Sequence, residues 1–103
     1  MSERPFEADS GRRVQAVQIS CDIIQALREK DGAGVSELAD HLDRSKATIH
    51  SHLTTLADNE FVVKRDGSYE ISLRFVDIGE YAKSQVDIYE VTKAELERLA
   101  EET

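Results

Sequence analysis

A chain of 103 residues, 40% hydrophobic and 33% charged, has room for one modest core and none for the second domain of most two-domain enzymes. Its formal net charge of −8 means that an anionic partner must be met by a local positive region, because the surface as a whole repels it. No apolar run reaches the length of a membrane span and the opening MSERPFEADS lacks a basic-then-apolar secretory layout, so a cytoplasmic location is expected, while the single cysteine, Cys21, excludes an intramolecular disulfide and is expected in the core.

Residues 1–12 are polar, contain Pro5 and Gly11 and show no periodicity, so they read as a flexible arm. From Val14, the apolar residues Val14, Val17, Cys21, Ile24 and Leu27, with Ile23 beside them, recur at steps of three and four. They predict an amphipathic helix over 14–30, stopped by Asp31-Gly32-Ala33-Gly34. Ser36 is a good N-cap for a short second helix through Leu42, with Leu38, Ala39 and Leu42 inward. Asp43 and Arg44 make a turn, and Ser45 caps a third helix that fades at Asp58 and Asn59. Its inward residues are Ala47 or Thr48, Ile49, Leu53 and Leu56, while Lys46, His50, Ser51 and Thr54 point largely the other way.

Phe61, Val62 and Val63 begin a strand that Lys64 and Arg65 carry into Asp66-Gly67, a pair suited to a type I′ hairpin turn, where both central residues need positive φ. The return strand runs from Tyr69 to Leu73, with Tyr69, Ile71 and Leu73 alternating inward. Three helices followed by a hairpin is the order of a winged helix-turn-helix, a mainly α fold with a small β-hairpin wing. Beyond Arg74, Phe75, Val76 and Ile78 predict a short helix ending near Gly79. Helical sequence resumes at Tyr81 with Val86, Ile88 and Tyr89, and a last helix starts at Thr92, with Thr92 and Glu95 as a capping box and Leu96, Leu99 and Ala100 as its stripe. That stripe is too narrow for a second core, so these C-terminal linker helices are expected to pack on the first helix or on a twin chain. The expected division is an arm over 1–12, a winged domain over 13–79 and linker and dimerisation helices over 80–103.

Charge is distributed unevenly along this order. Residues 1–13 are neutral, 14–43 carry −4 and 66–103 carry −6; only 44–65 is positive, at +2. The acidity elsewhere fits either a solvated, solubilising face or adaptation to high internal salt as in a halophile, with Arg outnumbering Lys eight to five.

The segment SELADHLDRSKATIHSHLTTLADNEFV at 36–62 resembles the helix-turn-helix of the IclR (isocitrate lyase regulator) family of transcription factors. VQAVQISCDIIQAL at 14–27 is similar to that family's first helix, YEISLRFVDIG at 69–79 to its wing strand and following helix, and VTKAELERLAEET at 91–103 to its entry into the effector-binding domain. Four positions depart from the pattern: Asp43 stands at the usual turn glycine, Ser51 at the usual arginine of the third helix, His52 at the apolar residue after it, and Glu60 at the glycine before the wing. The resemblance implies a transcriptional regulator that binds double-stranded DNA. It also implies a following metabolite-binding domain, and the chain ends where that domain would begin, so no effector pocket is expected within it.

The third helix has the dimensions to enter a major groove, where each base pair shows a distinct donor and acceptor pattern. Ser45, Lys46, Thr48, His50 and Ser51 are the expected base readers. Arg44, Thr54, Lys64, Arg65 and Arg13 are the expected phosphate contacts. One such domain buries too little surface for gene-level specificity, so a homodimer through helix 14–30 and the C-terminal helices is expected. The rival reading is a winged helix used for protein contact, and a third is an architectural protein without sequence preference. His41, His50, His52 and Cys21 lack metal-ligand spacing, and no nucleophile elbow or glycine cradle arranges the Ser, His and Asp residues for catalysis, so neither enzyme activity nor a cofactor is expected.

Overall fold

Ile19, Ile23, Ala26 and Leu27 are spaced so that they share one face of a helix, and α1 (Gln15–Lys30) turns that face into the core. The computed structural model describes residues 12–102; the expected arm, Arg12 apart, lies outside the described residues. Of the expected stripe, Leu27 with Ile23 beside it is buried, but the first three members are not. Val14 and Val17 are 64% and 59% exposed and Cys21 is exposed as well, which corrects its expected place in the core, while Ile24 is half-buried. The two stripes lie on roughly opposite sides of α1. The face carrying two isoleucines and a leucine buries more apolar surface than one carrying valines and a cysteine.

Asp31 ends α1 in the left-handed conformation at φ 57°, and its N–H and that of Gly32 both reach Leu27 O. Ala33 then pairs with Tyr69 through two backbone hydrogen bonds of 3.1 and 2.8 Å. This bridge brings Gly34 against the hairpin tip, where an added Cβ would lie 3.3 Å from Gly67 O. Helix α2 (Val35–Leu42) starts immediately after it, with Gly34 as N-cap. Ser36, the expected cap, therefore sits inside the helix and is exposed.

Asp43 closes α2 at φ 56°, and Arg44 N–H bonds Ala39 O at 2.9 Å. Ser45 caps α3 (Lys46–Asp58) as its spacing predicts, its Oγ accepting from Thr48 N at 3.1 Å. Ile49 and Leu53 are fully buried and Leu56 half-buried. Of the two inward candidates at the helix start, Thr48 is half-buried and Ala47 is exposed.

Glu60 reverses the chain at φ 65°, and strands β1 (Val62–Arg65) and β2 (Ser68–Ile71) pair antiparallel with Val62 opposite Ile71 and Arg65 opposite Ser68. Asp66 and Gly67 both have positive φ, 54° and 82°, as a type I′ turn requires. Val62 and Tyr69 enter the core, which joins one face of the wing to α1, α2 and α3. Together these elements are a winged helix-turn-helix.

The residues from Leu73 onward form a separate compact unit. It is one unbroken helix, α4 (Arg74–Glu102), of 29 residues. The expected breaks at Gly79 and Thr92 do not occur, and Leu73, expected inward on the strand, is 81% exposed. A helix-ending glycine works by adopting positive φ, and Gly79 does not. As an interior glycine it costs only about 1 kcal/mol relative to alanine. That is small against a run with six Glu and three Ala, with Lys83–Asp87 at 3.1 Å and Arg98–Glu95 at 2.6 Å along its surface.

Two substitutions follow from the backbone. Glu60→Gly removes a left-handed non-glycine residue and is expected to raise unfolding free energy in urea by about 0.5–1 kcal/mol. Asp43→Gly should gain less, because aspartate tolerates this conformation better than glutamate; the reverse order would show that backbone strain does not set these two positions. In α4, Gly79→Ala is expected to add about 1 kcal/mol of helix stability, seen as greater helical ellipticity retained on heating.

Candidate nucleic-acid interface

Burial of Ile49 and Leu53 fixes the rotation of α3 about its own axis, and everything on its outer face follows from that. Ala47, Ser51, Thr54 and Asp58, at steps of four, three and four, lie opposite the buried residues and are all exposed. Lys46 and His50 flank this row on one side. Thr48, His52 and Thr55 flank it on the other.

The polar side chains of α3 fall into two groups. Ser45 Oγ donates to Thr48 Oγ1 at 2.9 Å, His52 Nδ1 donates to Thr48 O at 2.8 Å, and Thr55 Oγ1 donates to Ser51 O at 3.1 Å. These side chains serve the helix itself. Lys46, His50, Ser51 and Thr54 are exposed and their side chains have no partner among the described residues. Of the five expected base readers, Lys46, His50 and Ser51 thus stand with donors and acceptors uncommitted, while Ser45 and Thr48 are bonded to each other. Thr54 shares the free row.

The expected phosphate contacts differ in their surroundings. Arg44, exposed at the turn before the cap, lies against Gln15 of α1: with the amide oxygen facing the guanidinium, Oε1 accepts from Arg44 Nη1 at 3.1 Å and from Nη2 as well. Lys64 stacks over the Tyr69 ring, its Nζ 5.7 Å from the centroid. Arg65 Nη1 is 3.6 Å from Glu70 Oε1, both groups largely solvated. As neighbours on β1, Lys64 and Arg65 point to opposite faces of the wing. Arg13 is exposed beside Val14, the N-cap of α1.

In a chain with 21 carboxylate residues, the first turns of α1 and α3 contain none, whereas those of α2 and α4 contain Glu37 and Asp77. The start of α3, with the helix dipole, Arg44 and Lys46, is positive; its far end carries Asp58. An anionic surface is therefore attracted to the first two turns and repelled by the last.

Three residues of this surface are missing from the sequence-based expectation. Ala47 belongs to the outer row, and its spacing from Ser51 and Thr54 carries that signal. Asp58 is legible by the same spacing. Gln15 has no local signal, because its role comes from the packing of α1 beside the turn.

The family model for the IclR helix-turn-helix domain matches residues 16–66. Among curated proteins, the chain is 35% identical over 102 residues to a probable HTH-type transcriptional regulator, ArcR, of Halobacterium salinarum, covering 96% of this chain and 39% of that one. It is 31% identical over 86 residues to the HTH-type transcriptional regulator KdgR of Escherichia coli, covering 79% and 33% respectively. Among solved structures, Pseudomonas aeruginosa HmgR matches with a TM-score of 0.60 at 25% identity, over 67% of this chain and 30% of that chain. The chain therefore spans two fifths or less of the length of these relatives. Three helices and a hairpin in this order, with the family model lying over the helix-turn-helix and the first wing strand, lead to one conclusion: the chain belongs to the IclR family.

Proposed function

We propose that this chain is a sequence-specific DNA-binding module of a transcriptional regulator, acting as a dimer on double-stranded DNA. The observation that carries this reading is the uncommitted row of Lys46, His50, Ser51 and Thr54 beside the acid-free start of α3, opposite a fully buried Ile49 and Leu53. In this reading the winged domain covers residues 13–79. The segment 45–58 lies in the major groove and the wing, 61–73, lies on the backbone.

Lys46 donates to guanine O6 or N7, His50 and Ser51 read neighbouring edges, and the exposed methyl of Ala47 suits contact with a thymine methyl. Ser45 and Thr48 reach bases by exchanging their mutual hydrogen bond. Arg44, Thr54, Lys64, Arg65 and Arg13 contact phosphates. Arg65 must leave Glu70 to do so, and an exposed pair of this kind is worth at most about 1 kcal/mol.

Dimerisation draws support from two apolar surfaces that the chain leaves uncovered. One is the second stripe of α1, with Val14, Val17 and Cys21. The other is a mostly apolar row along α4 at alternating steps of four and three, Ile78, Ala82, Gln85, Tyr89, Thr92, Leu96 and Leu99, the spacing of a two-stranded seam. Tyr89, Leu96 and Leu99 are each more than half exposed. We infer that residues 80–103 form the linker and, with α1, the dimer contact, bringing two winged domains onto half-sites about one turn apart. The curated relatives are named as transcriptional regulators, which agrees with this role.

Selecting bound sequences from a random duplex pool at several salt concentrations tests the reading directly. Lys46→Ala is expected to relax base preference at one position, with a loss of about 1–3 kcal/mol for the preferred base. Arg65→Ala should weaken all sequences alike and reduce the salt slope by about 1; if both variants behave the same way, the division between reading and anchoring is wrong. Val17→Glu, which places a carboxylate in the exposed stripe of α1, should shift sedimentation equilibrium toward monomer without loss of helical ellipticity. An unchanged dimer would remove α1 from the interface.

A further inference from the structure

We propose that Gln15 is a positioning residue for DNA binding, one that holds the Arg44 guanidinium in place without cancelling its charge. The inference rests on the reading of Arg44 as a phosphate contact and adds to it a partner on a different helix. The backbone of Arg44 is fixed by its N–H bond to Ala39 O at 2.9 Å and by the Ser45 cap that follows. Its side chain is long and exposed, and left alone it would sample many rotamers, each of which must be given up when a phosphate is bound.

With the amide oriented as above, its oxygen toward the guanidinium, Gln15 Oε1 accepts from both terminal guanidinium nitrogens. Gln15 is the first residue of α1, and α1 is locked into the core through Ile19 and Ile23. The hold on Arg44 is therefore tied to the rigid part of the fold.

The chemistry of the partner matters more than its presence. Asp40 and Asp43 precede Arg44 closely in the chain, and carboxylates outnumber cations overall. Yet the partner of Arg44 among the described residues is a neutral carbonyl. A carboxylate would also have oriented the guanidinium, but it would compete with a phosphate for its charge. An amide carbonyl occupies some of the five N–H donors and leaves the rest, with the full positive charge, for a phosphate oxygen. Arg44 thus stands pre-oriented, between the acid-free first turns of α1 and α3.

The test uses the 103-residue chain, a mixed-sequence duplex long enough for two half-sites, and the variants Gln15→Ala, Gln15→Glu, Arg44→Ala and the double variant Gln15→Ala with Arg44→Ala. In the free protein, nitrogen relaxation of the Arg44 side chain is expected to report order in wild type and Gln15→Glu and mobility in Gln15→Ala. Against duplex, Gln15→Ala should weaken affinity by about two- to tenfold, the scale of ordering one long side chain on binding. It should have no further effect once Arg44 is alanine. Gln15→Glu should keep the side chain ordered yet lower the salt slope by about 1, because the cation is already neutralised.

Arg44 mobility that is identical in wild type and Gln15→Ala overturns the hold itself, whatever happens with DNA. Equal losses from Gln15→Ala in the presence and absence of Arg44 overturn the positioning role. A wild-type slope in Gln15→Glu overturns the argument from charge. If no variant, wild type included, binds duplex, the functional reading of the module fails, and the relaxation result still reports on the contact between Gln15 and Arg44.

Discussion

The seating of α3 through Ile49 and Leu53 is the contact on which the rest of the surface depends. A helix of 13 residues is marginal in isolation and takes its stability from the apolar face that it buries. Because side chains recur every 3.6 residues, fixing two of them fixes the direction of all the others. Shortening Leu53 would lose a few kcal/mol of burial and packing, and it would also release the helix to roll. The outer row would then no longer present Lys46, His50, Ser51 and Thr54 together. In this fold, core packing and the geometry of recognition are one constraint.

Electrostatics works against the module globally and for it locally. At net −8 the chain repels a polyanion at long range, and a repulsion of this kind is screened beyond about 10 Å at moderate ionic strength. In the proposed reading the contact is made by the start of α3 and by the wing, where cations are held by neutral or easily exchanged partners: an amide for Arg44, an aromatic ring for Lys64, a solvated carboxylate for Arg65. Salt therefore has two opposed effects on association. It weakens the phosphate contacts through counterion competition, and it also masks the acidic remainder of the surface. A less acidic relative lacks the second effect and should lose affinity more steeply as salt rises.

The order of elements was legible in the sequence wherever a local rule was decisive. The Ser45 cap, the Asp66-Gly67 turn and the inward Ile49 and Leu53 each follow from a few adjacent residues. The errors arose where two local rules competed or where a distant segment decided. α1 carries two apolar stripes, and only its packing on α2, α3 and β2 selects the one with Ile19 and Ile23. Ser36 is a better intrinsic cap than Gly34, but the bridge between Ala33 and Tyr69 sets where α2 starts. Gly79 looked like a terminator because glycine often is one, and the residues around it favour helix strongly enough to carry it through. The site followed the same division: the exposed polar row could be read from spacing, whereas the mutual commitment of Ser45 and Thr48, and the contact of Gln15 with Arg44, required three dimensions.

Two glycine-to-acid replacements give the module a character of its own within its family. Asp43 and Glu60 both adopt φ near 60° where the family pattern has glycine, so the backbone path is retained at the cost of strain. Strain of this kind persists only where surrounding contacts over-determine the turn, and both turns are bracketed by backbone hydrogen bonds: Arg44 to Ala39, Glu60 to Ala57 and Phe61 to Leu56. These two turns set where α3 begins and where the wing leaves it. A side chain in place of glycine also narrows the conformations open to the unfolded chain, which offsets part of the strain. The acids therefore keep the spacing between α3 and the wing while adding negative charge just before α3 and just before β1. Arg44 and Lys46 lie at the start of α3, and Lys64 and Arg65 on opposite faces of β1, so the positive charge of this segment is divided between the helix start and the wing.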